Sequence, residues 1–235
     1  NISENGWNYA LQTTYEPGST IKVVATGGAL NEGLVTPTTS IFCHNGFFQS
    51  GSAAPVKDSH PAGMLSFEGV LEKSNNIGTY KMALQLGANR FYDYMDRWGF
   101  GKKTGILLSD ESRGSARNTG NPSDFSRASF GYATAVTPLQ VACAYTVIAG
   151  DGNLRKPRIV RALVANDGSV IQKFEPEIVS NVLKPATAKK MRTALTRVTG
   201  IGGTAKAAAV AGFKVAGKTG TANKFNPKGT GYLDG

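Results

Sequence analysis

Ser19 and Lys22 stand three residues apart at the head of an apolar run, Ser74 and Asn76 stand two apart further on, and Lys218 opens a Lys-Thr-Gly triplet near the end of the chain. Any fold that puts these groups to common use must bring three distant segments to one pocket, and that requirement restricts the chain's path more than any other feature. A serine hydroxyl is a poor nucleophile at neutral pH until a neighbouring base takes its proton. Lys22 is placed to do so. Tyr15-Glu16-Pro17-Gly18 reads as a turn, and Ile21, Val23, Val24 and Ala25 suit a buried helix, which sets Ser19 in the helix's first turn with Lys22 on the same face. The unpaired N–H groups of such a helix start point at whatever approaches Ser19 and can stabilise an oxyanion. An amine acts as a base only when partly neutral, which requires burial or a second cation nearby. Lys218 is the candidate for that cation.

Each pattern alone is weak. A Ser-x-x-Lys is expected about once by chance in a chain of this size, and Lys-Thr-Gly at the level of roughly a few per cent. The ordered set is specific: Ser-x-x-Lys, a Ser-x-Asn triplet and Lys-Thr-Gly together are the signature of penicillin-binding proteins and class A β-lactamases. Around the motifs, Tyr15-Glu16-Pro17-Gly18-Ser19-Thr20-Ile21-Lys22, Lys73-Ser74-Asn75-Asn76-Ile77-Gly78, Phe130-Gly131-Tyr132, Val136-Thr137-Pro138-Leu139-Gln140 and Val215-Ala216-Gly217-Lys218-Thr219-Gly220-Thr221-Ala222 resemble segments of one family. The chain from Tyr15 to Gly235 resembles the transpeptidase domain of class B penicillin-binding proteins, nearest to the division-associated branch.

The resemblance implies an α+β fold (an α/β sandwich of the penicillin-recognising, β-lactamase-like type) and a serine D,D-transpeptidase without metal or organic cofactor. Ser19 would form the acyl-enzyme, Lys22 would take its proton, and Ser74 would relay a proton to the leaving amine. Asn76 would bind the substrate amide and orient Lys22. Lys218 would keep the groove positive, Thr219 and Thr221 would bind a carboxylate across Gly220, and the N–H groups of Ser19 and Thr221 would form the oxyanion hole. Implied partners are peptidoglycan stem peptides, β-lactams, and proteins of the division or elongation machinery. The implied location is the extracytoplasmic side of a bacterial inner membrane, with the anchor outside this segment. Asn1 is not an initiator Met, and no apolar run is long enough for a membrane span or signal peptide. The chain is therefore expected to be one transpeptidase domain over 1–235, incomplete at both ends, holding all three motifs but only part of the central sheet.

Other classes compete on specific residues. A β-lactamase or D,D-carboxypeptidase would let water resolve the acyl-enzyme, and Glu111 follows Ser74 at roughly the interval of the class A deacylating Glu. Its surroundings, Leu108-Ser109-Asp110-Glu111-Ser112-Arg113-Gly114, look more like the loop in which that Glu is structural. A β-lactam sensor would stay acylated, and a homologue that has lost catalysis is disfavoured by three intact motifs. The formal net charge of +10 comes without a nucleic-acid motif or a Lys/Arg cluster, so it fits an anionic envelope or a carboxylate substrate rather than nucleic acid. Cys43 and Cys143 are too few for a disulfide framework and have no partners at metal spacing, although a bridge between them is left open. Cys143 is expected to be buried and Cys43 to sit in a loop. His44 and His60 have no supporting motif for a Ser-His triad.

Helices are expected over Ser19 to about Leu30, over Ser66 to Lys73 with Ser66 placed to cap, and over Ile77 to Leu86 ahead of Gly87. Further helices are expected over Asn89 to Trp98, from Pro138 to Gly150 after a Thr137 cap, and over Lys184 to Val198. Phe91, Tyr94, Met95 and Trp98 form a core stripe. Arg158 to Ala165 and Ser169 to Phe174 flank Asn166-Asp167-Gly168, a hairpin subregion at about 158–174, and Phe213 to Asn223 is expected to be the strand carrying Lys218. The long run from Phe42 to Gly63 is a candidate cover for the groove or a mere insertion. Gly200 to Ala209 is rich in small residues and expected to be mobile.

Overall fold

The computed structural model describes residues 6–221. In chain order the helices are α1 (Tyr9–Gln12), α2 (Lys22–Asn31), α3 (Phe67–Glu72), α4 (Asn76–Leu86), α5 (Ala88–Arg97), α6 (Pro122–Ala128), α7 (Pro138–Ala149) and α8 (Pro185–Thr196). The strands are β1 (Ser40–Phe42), β2 (Phe47–Phe48), β3 (Val56–Lys57), β4 (Met64–Ser66), β5 (Asn153–Arg155), β6 (Ala162–Val164), β7 (Val170–Lys173) and β8 (Ile178–Asn181). Among the described residues the strands form antiparallel pairs only: β1 with β4, β2 with β3, β5 with β8 and β6 with β7. The chain is α+β, with the core supplied by helices. No helix among the described residues is long and apolar enough to cross a membrane.

α2 is the axis of that core. Its residues from Lys22 to Leu30 are all buried, and it packs against α4, α5 and α8. A helix enclosed on every side needs an apolar surface all round and small side chains where neighbours come close. Val23, Val24 and Leu30 supply the first, and Gly27 and Gly28 the second. A Cβ on Gly28 would stand 3.0 Å from Leu86 Cδ1 and 3.1 Å from the Tyr94 ring, and one on Gly27 3.5 Å from the Trp98 ring. Phe91, Tyr94, Met95 and Trp98 are buried as a core stripe, as their spacing on α5 predicts.

The termini of the helices follow local chemistry. The Ser66 side chain accepts the Gly69 N–H at α3, and Asn75 accepts that of Gly78 at α4. Thr137 and Gln140 exchange side-chain and backbone bonds in a capping box at α7, with Pro138 in the first turn. Gln140 Nε2 also donates to the carbonyls of Lys102 and Arg113, which ties two loops to this helix start. β6 and β7 form the expected hairpin, with its strand residues largely exposed.

One expectation changes. Residues 213–221 do not form a strand, and Ala222 and Asn223, the rest of that expected element, lie outside the described residues. A strand without a neighbour leaves its N–H and C=O groups unpaired; here Val215 accepts from the Thr199 hydroxyl and Gly217 donates to Leu195, both at the end of α8. Cys43 lies outside any helix or strand just past β1, as expected, and is buried there, its N–H bonded to Gly63 and its thiol directed at the Ile41 carbonyl. Both cysteines are free, and burial pushes each thiol up to about 11. In the small-residue run after Gly200, Gly203 N–H donates to Gly200 and Ala205 N–H to Val198.

The packing at Gly28 gives a test. Gly28→Val forces branched methyl groups into the Leu86 and Tyr94 contacts and is expected to lower stability by about 1–3 kcal/mol, read as a lower midpoint in urea unfolding.

Candidate active site

Ser19 sits one turn earlier than a simple helix would put it. Gly18–Ile21 is a 3₁₀ turn in which the Lys22 N–H bonds to the Ser19 carbonyl, and α2 begins only at Lys22. Three residues per turn set positions i and i+3 on one side, which is the side of Ser19 and Lys22, while the hydrogen bonds of the Lys22 amine go to Ser74 and Asn76.

The 3₁₀ turn is held by backbones that approach more closely than any side chain would permit. Tyr15 and Val136 form a β-bridge, Ala133 N–H donates to Glu16 Oε1, and Gly18 N–H donates to the Gly131 carbonyl at 3.0 Å. Gly131 has φ +100°, and a Cβ there would lie 1.9 Å from the Gly18 oxygen. Gly18 itself has φ +54°, and its Cβ would lie 2.3 Å from the Thr221 oxygen. These two glycines stack the Gly131 segment, the nucleophile turn and the Lys-Thr-Gly segment on one another. Gly220 completes the seat, since a Cβ on it would stand 2.7 Å from Thr20 Cγ2.

Lys22 is fully buried, and its amine donates to the Ser74 carbonyl, to Asn76 Oδ1 at 2.6 Å and to Ser74 Oγ at 3.3 Å. Burial drives its pKa well below the ordinary lysine value; the nearby Lys218 ammonium lowers it further, and the Asp58 carboxylate works the other way. Lys218 Nζ donates to Ser74 Oγ at 2.6 Å and to the Thr219 carbonyl at 3.1 Å, and burial lowers its pKa to about 8. Ser74 lies between α3 and α4 with φ +55°. That left-handed backbone costs a residue with a Cβ about 1–2 kcal/mol. It sets a hydroxyl that both lysines reach.

Ser19, Ser74, Asn76, Thr219 and Thr221 line one cavity of about 500 Å³. The structure therefore brings the predicted set together, with Lys22 beneath the wall and Lys218 bonded to it. The cavity has further walls that sequence reasoning left without a role. Asp58, Ser59 and His60 come from the run between Phe42 and Gly63, so this run does border the groove, and Tyr132, Lys73 and Thr204 close other sides. Thr204 and Thr219 hydroxyls are 2.8 Å apart. Tyr132 lies in a recognised segment; Asp58 carries no local pattern that marks it. Glu111 is elsewhere: it is buried, and its carboxylate accepts the N–H groups of Thr104 at 2.7 Å and Gly105 at 3.2 Å, a structural staple. His44 is stacked between Phe42 and Phe48. Among the described residues no three His, Cys, Asp or Glu are gathered as metal ligands.

Chemically, the arrangement offers a hydroxyl at a helix start, a buried amine of reduced proton affinity, and a second cation on a shared serine. It suits nucleophilic attack on a carbonyl with proton transfer. Known proteins agree with that chemistry. The family model described as penicillin binding protein transpeptidase domain matches residues 3–235. Penicillin-binding protein PbpB of Mycolicibacterium smegmatis is 33% identical over 97% of this chain, and peptidoglycan D,D-transpeptidase FtsI of Escherichia coli is 33% identical over 94%. The chain spans 36% of the length of each of these relatives. The crystal structure of penicillin binding protein 3 from Mycobacterium tuberculosis complexed with aztreonam superposes with a TM-score of 0.88 at 34% identity, covering 97% of this chain and 53% of that one.

Gly131→Ala places a methyl group on the Gly18 carbonyl in a backbone conformation that alanine resists. It is expected to cost about 2 kcal/mol or more, seen as a lowered melting temperature, whereas Gly168→Ala, also at positive φ but with open space around it, is expected to cost less.

Proposed function

This chain belongs to the penicillin-binding protein transpeptidase family, and from that premise we propose that it is a serine acyltransferase that cross-links peptidoglycan stem peptides through an acyl-enzyme on Ser19, a residue that β-lactams also acylate. The observation that carries the reading is the buried Lys22 amine, bonded to Ser74 and Asn76 and beside Lys218, at the wall of a cavity that Ser19 lines.

In the proposed reaction Ser19 Oγ attacks the carbonyl carbon of the penultimate D-Ala while its proton passes to neutral Lys22. The oxyanion is held by the N–H groups of Ser19 and Thr221. When the tetrahedral intermediate collapses, the C–N bond breaks and the departing amine takes a proton through Ser74. The acceptor amine of a second stem peptide then attacks the ester, its proton leaves by the same route, and Ser19 is regenerated. Asn76 binds the substrate amide. Lys218 and the Thr219 and Thr221 hydroxyls, brought close by Gly220, receive the terminal carboxylate. The fit of a β-lactam follows, since it offers a strained amide beside a carboxylate.

Hydrolysis finds less support. A deacylating carboxylate would have to face the ester, and Glu111 is committed to two backbone N–H groups away from the cavity. Aztreonam and ampicillin are the ligands of solved structures of a relative. We place residues 1–235 in one transpeptidase domain with the hairpin around 158–174 as an accessory, acting on the extracytoplasmic side of the membrane, where its substrate lies. A role in division, with the corresponding machinery as partner, rests on the resemblance of the motif segments to the division-associated branch.

A fluorescent penicillin tests the reading: the intact protein is expected to form a persistent adduct and to exchange a D-amino acid into a stem peptide. Rapid loss of label would indicate a β-lactamase, and a persistent label without exchange a sensor. Ser19→Ala is expected to abolish labelling, and any covalent label retained would unseat Ser19. Lys218→Ala is expected to weaken acylation by carboxylate-bearing ligands more than by uncharged esters. It also has a signed pH effect. Lys218 disfavours the protonated form of Lys22, so its removal keeps Lys22 protonated to higher pH, and the acidic limb of the acylation rate is expected to move upward.

A further inference from the structure

Asn76 is gripped from a segment that neither the motifs nor the relatives' names point to. The Lys57 carbonyl, at the end of β3, accepts from Asn76 Nδ2 at 2.9 Å. Asp58, the next residue, accepts the backbone N–H of Asn76 with one carboxylate oxygen and that of Ile77 at 3.3 Å with the other. The first contact decides which way the amide faces. A carbonyl only accepts, so Nδ2 must turn to Lys57, and Oδ1 is left to face the Lys22 amine. The second fixes the backbone from which that amide projects, using donors that a helix start leaves unpaired. Asp58 is also a wall of the cavity, and it is the only carboxylate among those lining residues.

We propose that Asp58 is a positioning residue for acyl transfer, locking Asn76 onto Lys22 and supplying the counter-charge against which Lys22 releases its proton. The proposal rests on the reading of Ser19 and Lys22 given above and deepens it. The charged groups bearing on Lys22 are Lys218, from the segment after α8, and Asp58, from the segment after β3. Ser74 and Asn76 contribute uncharged dipoles, Lys73 beside them donates to the Gly202 carbonyl, and His60 lines the same cavity. Cys43, which also feels Asp58, is kept as the neutral thiol by burial. Lys22 therefore stands between a cation that expels its proton and an anion that retains it. Without the anion, burial and Lys218 act unopposed and leave a weaker base. Asp58 keeps the amine basic enough to take a serine proton, in line with the rule that a general base works best with its pKa near the operating pH.

The sign distinguishes this from a loop staple. Asp58→Asn keeps an acceptor for a backbone N–H but removes the charge, so Lys22 loses its proton more readily. The acidic limb of penicillin acylation, followed on the intact protein between about pH 6 and pH 10, is expected to move to lower pH by about half a unit or more. The maximal rate is expected to fall. Asp58→Glu restores the charge and is expected to return the limb toward its original position. A uniform loss of rate at every pH with the limb unmoved, or a limb displaced upward, would overturn the proposal. Should Asp58→Asn not fold, Asp58→Ser is read in the same way, and failure of both neutral variants to fold would assign Asp58 a purely structural role and also overturn it. An unlabelled parent protein would instead refute the acyltransferase reading itself, so the two failures are separable.

Discussion

The Lys22 amine is kept out of water, and the rest of the site is arranged around that constraint. An ammonium ion taken from solvent into a protein interior loses several kcal/mol of solvation. α2 can be enclosed on all sides only if its first residue is relieved of charge for part of the time and has every N–H donor occupied. The Ser74 carbonyl, Ser74 Oγ and Asn76 Oδ1 provide the occupation. Burial first, and Lys218 after it, provide the pressure toward neutrality. The core and the proposed chemistry therefore make the same demand: the packing that excludes water from α2 is what lowers the proton affinity of Lys22.

A second constraint is backbone proximity. The nucleophile turn, the Gly131 segment and the Lys-Thr-Gly segment are far apart in sequence, and they meet through peptide groups rather than through side chains. Contact of this kind is rigid, because it cannot relax by rotating a χ angle. The rigidity places the Thr221 peptide beside the Ser19 turn, where an oxyanion hole needs donors fixed before charge develops. Ser74 adds strain of the same kind. Its left-handed backbone turns the chain sharply between α3 and α4, and the two lysines that share its hydroxyl repay the cost.

Most of the site was legible in the sequence because its members carry local patterns. Ser19 and Lys22, Ser74 and Asn76, and the Lys218 triplet are short runs whose chemistry is readable without knowing the fold. The caps at Ser66, Thr137 and Gly150 were readable for the same reason, as was the Asn-Asp-Gly hairpin. What escaped lacks a local signature or needs more context. Four residues do not distinguish a 3₁₀ turn from the first turn of an α-helix, so Ser19 was set one element too late. Asn121-Pro122 carries the same cap-then-proline rule as Thr137-Pro138, and α6 begins there, yet the polar residues before it read as loop. Asp58 acts through donors on another element, a relation that no window of sequence contains. The strand expected at Lys218 depends on neighbours, and among the described residues none lies alongside it.

The direction of the hydrogen bonds around Ser74 gives the site its order of events. A protonated Lys218 has donors only, so at 2.6 Å it must give a proton to Ser74 Oγ, and the serine's own O–H is then free to point at another acceptor. When Lys22 is neutral its lone pair is such an acceptor, 3.3 Å away. In the proposed reaction, once Lys22 holds the proton of Ser19 it is a donor to Ser74 Oγ, and the Ser74 O–H would swing toward the cavity, where a departing amine would lie. A proton arriving at Lys22 would thus, in the proposed reaction, reorient the hydroxyl assigned to the leaving group. The shared serine would couple the two halves of the proposed acyl transfer, which accords with its strained place between two lysines.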